Sequence, residues 1–409
     1  MRSRRSLTTV LGLMSLAVAV QGQTSDTTKE KSFEIYGFAM MDMGYNAGAI
    51  QPDWFDVMRP TKLPAYKDEF GSEGNMYFGV RQSRLGFKSY TNTPLGELYT
   101  QFEFEMFGTG VDAGQTTIRL RHAYGQLGKW GAGQYWSPFM DIDIFPNSVE
   151  YWGPTGMAFY RNVQLRYMPI MGDTRLTVAL ERPGASSDQG TYGTTIESAG
   201  LAPRLQVPDL SAEYRKATKF GYVELAGIVR NAAWVDQNSN DSLDLDGSAI
   251  CYGLNLTTNI HYGPEKRNTI RAGVVYGQGI QNYMNDATTD IGVRANPGDA
   301  KTPFEGYALP MLGGSLFVDH FWSKKMSSTA GYSFITMDLD QSSDSSSFKT
   351  GGYALANVMF YPVPAVMWGV ELQYGSRENF KDGWNYNAVR VQASFKYNFG
   401  EAFYRKKNS

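Results

Sequence analysis

The chain has 409 residues, a formal net charge of −2, 14% aromatic residues, 44 glycines and one cysteine, and its mean hydropathy is −0.36. These values exclude a bundle of membrane-spanning helices and a disordered chain, and the charge gives no basis for a nucleic-acid partner. Cys251 stands alone, which excludes an internal disulfide and a cysteine-built metal centre.

Arg2, Arg4 and Arg5 precede an apolar segment over 7–20, and Val20-Gln21-Gly22 offers small residues where a signal peptidase cuts. The segment falls short of the ~20 residues of a spanning helix. We expect residues 1–22 to be a cleaved export signal, 23–32 a short periplasmic segment, 33–399 one transmembrane unit and 400–409 a periplasmic extension.

The first strand is expected at 33–45, followed by a long loop that carries DWFDVMRP at 53–60. A second strand, 76–89, ends in the turn 92–94. Leu98, Thr100, Phe102, Phe104 and Met106 then alternate with Tyr99, Gln101, Glu103 and Glu105, which is the period of a β-strand. Ile118, Leu120 and Tyr124 oppose Arg119 and Arg121 on the next. Paired through the loop 108–115, these strands bring Glu103 and Glu105 near Arg119 and Arg121.

After a further strand the period stops. Residues 137–156 contain two prolines early on and read as a loop, a length that is usually functional inside a compact domain. Phe139, Ile142, Ile144, Phe145, Tyr151 and Trp152 need apolar surroundings, and the interior of a barrel supplies them.

Strands follow at 159–168, 174–181, 212–218, 221–230, 250–262, 269–277, 308–322, 328–337, 352–361, 366–375 and 388–399. Sixteen strands with short turns and long loops in alternation predict an all-β fold, a transmembrane antiparallel β-barrel with an inward-folded constriction loop. Val389, Val391, Ala393, Phe395, Tyr397 and Phe399 alternate with Arg390, Gln392, Ser394, Lys396 and Asn398, so one face suits lipid and the other a wet lumen. Hydrocarbon tolerates no open strand edge, so the last strand must pair with the first. Tyr262, Trp322, Tyr361 and Tyr397 suit an interfacial girdle. Gly37, Ala39, Met41 and Met43 on strand one, with Ser83 on strand two, suit contact between barrels.

The same parity turns Arg84, Lys88, Arg119, Arg121, Arg166, Arg175, Arg271, Arg377, Arg390 and Lys396 inward, against Glu103, Glu105, Glu181, Glu224 and Glu371. This basic excess predicts a pore that favours anions. Asp141, Asp143 and Glu150 on the 137–156 loop are expected to face that basic wall, with Phe139, Phe145, Tyr151 and Trp152 anchoring the loop. His122 and His320 fall on the lipid face without a nucleophile motif, and the three histidines offer no zinc spacing. Residues 240–246 have the composition of a calcium loop but lack its glycine and closing glutamate. No catalytic residue, metal or cofactor is expected.

Residues 53–60 (DWFDVMRP), 80–88 (VRQSRLGFK), 96–125 (GELYTQFEFEMFGTGVDAGQTTIRLRHAYG) and 133–153 (GQYWSPFMDIDIFPNSVEYWG) resemble the DcaP family of bacterial outer-membrane porins. The resemblance implies a homotrimer of sixteen-strand barrels in outer-membrane lipid, an inward loop as the constriction, and passive uptake of small, mostly negatively charged organic solutes. Two features depart from the family. No room remains after signal cleavage for a coiled-coil stalk before the barrel, and ten residues follow Phe399 where a terminal aromatic is usual. The alternative is a surface receptor or adhesin barrel with a plugged lumen, in which the loops at 46–75, 183–210 and 278–305 bind the partner.

Overall fold

The computed structural model describes residues 29–189, 191, 201–237 and 243–406. The export signal at 1–22 lies outside the described residues, as does part of the 240–246 loop.

In chain order the strands are β1 (Lys29–Asn46), β2 (Asn75–Gly79), β3 (Arg84–Thr93), β4 (Gly96–Phe107), β5 (Thr116–Leu127), β6 (Trp130–Trp136), β7 (Arg161–Ile170), β8 (Arg175–Glu181), β9 (Ser187–Asp188), β10 (Leu201–Arg204), β11 (Asp209–Thr218), β12 (Gly221–Asp236), β13 (Gly247–Tyr262), β14 (Asn268–Gln278), β15 (Ile291–Ala295), β16 (Phe304–Ala308), β17 (Pro310–Ser323), β18 (Met326–Met337), β19 (Phe348–Val363), β20 (Val366–Asn379) and β21 (Asn385–Lys406). Eighteen of them form one sheet. Because β2 and β3 both pair with β1, and β10 continues the line of β11 along β12, these make sixteen staves. β21 returns to β1 in continuous antiparallel register, Asn46 opposite Arg390 and Lys31 opposite Arg405, and the barrel is closed. β9, β15 and β16 form a small separate sheet.

The alternation of the sequence becomes the two faces of the wall. On β13 and β14, Leu254, Leu256, Val274 and Tyr276 are each more than half exposed, while Asn255, Thr257 and Val275 are buried. An apolar outer band around a polar interior is the reverse of a soluble core, and it follows from lipid outside and water within.

Several sequence expectations need correction. The second stave is not continuous: it breaks between Gly79 and Arg84, where Ser83 donates its N–H to the Val80 carbonyl. Ser83 Oγ then bonds the Met40 backbone, so this residue seals the break and is not part of an outward contact face. Gly37, proposed for the same face, is covered by the Phe399 ring.

His122 is buried and faces the lumen. A bulge moves the β4–β5 register from Glu103 opposite His122 to Phe104 opposite Leu120, leaving Arg121 as the extra residue. Beyond the bulge the parity inverts, which also turns Tyr124 inward.

Tyr361 belongs to the lumen and not to an interfacial girdle, since its hydroxyl accepts from Asn147 Nδ2 at 3.0 Å. Finally, the end strands are longer than read: β1 starts at Lys29 and β21 runs to Lys406, pairing past Phe33 and Phe399.

Candidate functional site

The chain between β6 and β7 folds into the barrel and crosses the lumen. Its first half is fixed to the β11–β14 wall. Phe139 is buried against Tyr283, and Asn255 Nδ2 donates to its carbonyl at 2.9 Å. Asp141 accepts from Arg215 Nη2 at 2.6 Å and from Tyr222 and Thr257 hydroxyls at 2.7 Å each. Asp143 pairs with Arg215, and its carbonyl accepts from Asn259 and Arg271.

The second half is fixed to the opposite wall. Ser148 donates to Glu371 at 2.9 Å, and Gln392 Nε2 donates to the Val149 carbonyl at 3.0 Å. Glu150 accepts from Met58 N at 3.0 Å, from Arg390 Nη2 at 3.3 Å and from Gly153 N. Gly153 adopts a φ of 81°, and its missing Cβ leaves space for the Phe145 ring. Tyr151 stacks on Phe107 with centroids 3.8 Å apart and bonds Glu105; Trp152 Nε1 donates to the Asn285 carbonyl at 2.6 Å.

Asp141 and Asp143 therefore face Arg215, and Glu150 faces Arg390, in direct loop-to-wall contacts. Burial pushes the Glu150 carboxyl up to about 7, against the pull of Arg390 and the two backbone donors.

Beside this loop lies a cavity of about 380 Å³ bordered by Arg59, Arg84, Arg119, Arg121, Arg161, Lys396, Glu103 and Glu150. Glu103 and Glu105 are buried behind the arginines: Arg121 Nε reaches Glu103 at 2.6 Å, Arg84 lies 3.6 Å from Glu103 and 3.5 Å from Glu105, and Arg161 lies 3.6 Å from Glu105. Four buried nitrogens here, Arg84 Nε, Arg119 Nη1, Arg161 Nη1 and His122 Nδ1, have no protein hydrogen-bond partner. Arg84, Arg119, Arg121, Arg161 and Lys396 around the cavity outnumber Glu103 and Glu105 behind them.

Of the ten basic residues expected in the lumen, Arg84, Arg119, Arg121 and Lys396 border this cavity. The others sit elsewhere inside. Arg390 holds Glu150, Arg271 holds Asp319 at 2.6 Å, and Arg377 donates to the Leu63 carbonyl at 3.2 Å. Arg175 joins Glu213 and Glu224, Arg166 bonds Gln164, and Lys88 lies over the Tyr36 ring. Glu181 accepts from Ser137 and Ser211, and Glu371 accepts from Asn357 and Gln373.

Sequence reading missed Arg59, Arg161 and Arg215. Arg215 was recoverable, because it shares the inward parity of Glu213; Arg59 and Arg161 lie at or beyond strand ends, where period carries no information. Among the described residues no group of histidine, cysteine, aspartate or glutamate side chains is arranged to hold a metal ion.

A family model described as the DcaP outer membrane protein matches residues 24–259, more than half of the chain. The chain belongs to the DcaP family. Among solved structures it is similar to the outer membrane channel DcaP of Acinetobacter baumannii, with a TM-score of 0.74 at 20% identity, covering 93% of this chain and 100% of that one. It is also similar to an anion-selective porin from Comamonas acidovorans, with a TM-score of 0.58 at 9% identity and coverage of 90% and 100%. A third is the trimer form of OmpT of Vibrio cholerae, with a TM-score of 0.52 at 11% identity and coverage of 90% and 99%. At these identities the likeness shows the fold. No functionally curated protein matches in sequence. As a DcaP-family porin, the chain is a channel protein of the bacterial outer membrane.

Proposed function

We propose that this DcaP-family barrel is a homotrimeric diffusion pore that prefers small anionic, carboxylate-type solutes. The observation that carries the reading is the cluster of Arg84, Arg119, Arg121, Arg161 and Lys396 around the cavity beside the constriction loop, with Glu103 and Glu105 the carboxylates behind it. Those five cations exceed the two carboxylates, and a fixed positive excess at a narrow passage lowers the barrier for a carboxylate solute. The same excess raises the barrier for a cation. The anion selectivity of the similar Comamonas porin and the trimer form of the similar OmpT are consistent with this reading. On the outer wall, Ala39 and Met41 of β1 keep an exposed face low in bulk, which suits contact between barrels.

The experiment is liposome swelling with solutes of equal size and opposite charge. Anionic solutes are expected to enter faster than cationic ones. Equal rates would remove the charge preference, and no swelling with any solute would favour a receptor barrel with a plugged lumen.

A further inference from the structure

The structure carries the DWFDVMRP segment into the lumen. After β1 the chain turns inward, and Trp54, Val57, Met58, Arg59 and Leu63 are all buried. Met58 and Leu63 pack on the inner wall against Phe317, Tyr353 and Leu355. Asp56 pairs with Arg81, the residue that the break in the second stave releases inward, at 2.6 Å.

Arg59 lies where three segments meet. Its guanidinium carbon is 4.2 Å from the Trp54 ring and 4.0 Å from the Trp152 ring, and those rings meet edge-on with centroids 4.9 Å apart, so the group lies against an indole of its own loop and one of the constriction loop. Its Nε and Nη2 each reach Asp286 at 2.9 Å, on the segment that follows β14. Thr61 adds its backbone N–H to the same carboxylate at 3.0 Å and its hydroxyl at 2.5 Å. The Asp286 segment is bound in turn to the constriction loop, with Asn285 Nδ2 donating to the Trp152 and Pro154 carbonyls at 2.7 and 2.8 Å.

We propose that Arg59 is a positioning residue that fixes the size limit of the pore, by latching residues 52–63 against the 137–156 loop so that the constriction is built from three segments and not one. The proposal rests on the reading of the barrel as a diffusion pore. Arg59, Glu150, Trp152 and Asn285 all border the cavity, so separating these segments widens the space a solute must cross. The position calls for arginine: the guanidinium contacts both indole rings while its fork engages one carboxylate, and a lysine ammonium has neither the planar face nor the fork.

The test uses the full-length purified chain in planar bilayers and in liposomes with neutral sugars of graded size. Arg59→Ala is expected to raise the exclusion limit and to raise conductance about twofold, the result of a wider constriction. Trp54→Leu, which removes one indole and leaves the charges in place, is expected to move both in the same direction. Arg59→Lys is expected to fall between Ala and the wild type. Folding is checked by the heat-dependent shift in gel mobility, and where Arg59→Ala does not fold, Trp54→Leu and Arg59→Lys decide. Folded variants with the wild-type exclusion limit and conductance would overturn the latch and leave the pore intact. A wild-type chain that passes no sugar would overturn the pore reading itself.

Discussion

Asp141 on the lumen-crossing loop accepts a 2.6 Å bond from Arg215 on the β11 wall, and neither side chain is more than 7% exposed. The same guanidinium reaches Asp143, and Glu224 at 2.6 Å. One cation therefore holds two carboxylates of the loop and one of the wall. Losing it leaves three acids close together in a site with little water. Arg215→Ala is expected to destabilise the barrel by about 3–5 kcal/mol, the range for removing one partner of a buried pair. The measurement is the temperature at which the folded band is lost on gels, together with current noise in single-channel records. Asp141→Asn is expected to cost less, since the amide oxygen still accepts from Tyr222 and Thr257.

Glu150 makes the loop sensitive to pH near neutrality. Its carboxyl is pushed up to about 7 by burial, above the value of a glutamate in an unfolded chain. The folded protein thus holds a proton that the unfolded chain releases. The stabilising contribution is fully present below the unfolded value and is lost as pH rises through about 7. Wild type is expected to unfold at higher denaturant at pH 5 than at pH 8, and Glu150→Gln is expected to flatten that difference. An unchanged pH profile in the variant would assign the effect to another group.

The wall was largely legible and the lumen much less so. Arg390, Gln392 and Ser394 were assigned inward from a period of two alone, and all three are buried. Lipid outside and water inside impose that period on every stave. Where one residue is inserted the rule fails, and the bulge at Arg121 misplaced both His122 and Tyr124. Tyr361 was misread because an aromatic at a strand end serves either an interface or a loop contact, and only its bond to Asn147 decides. The role of Arg59 was invisible because its partners, Trp152 and Asp286, are far off in sequence and lie on other loops.

Tyr361→Phe removes a hydroxyl that meets Asn147 at 3.0 Å and Ser327 at 3.2 Å. The expected cost is about 1 kcal/mol, the usual net value of a hydrogen bond, with the fold unchanged. Denaturant midpoints of the two proteins measure it.

Cys251 is fully buried on the inner face of β13. A maleimide reagent is expected to leave the folded barrel unlabelled and to label the chain once it is heat-denatured. Rapid labelling of the folded protein would contradict that burial.

The charge of the lumen is tested most directly by the reversal potential of single channels in a salt gradient, in the wild type and in Arg119→Gln/Arg161→Gln. The account predicts an anion-selective sign in the wild type and a shift toward zero in the variant, because two of the cations around the cavity are gone. A cation-selective wild type, or a variant with unchanged selectivity, would contradict it.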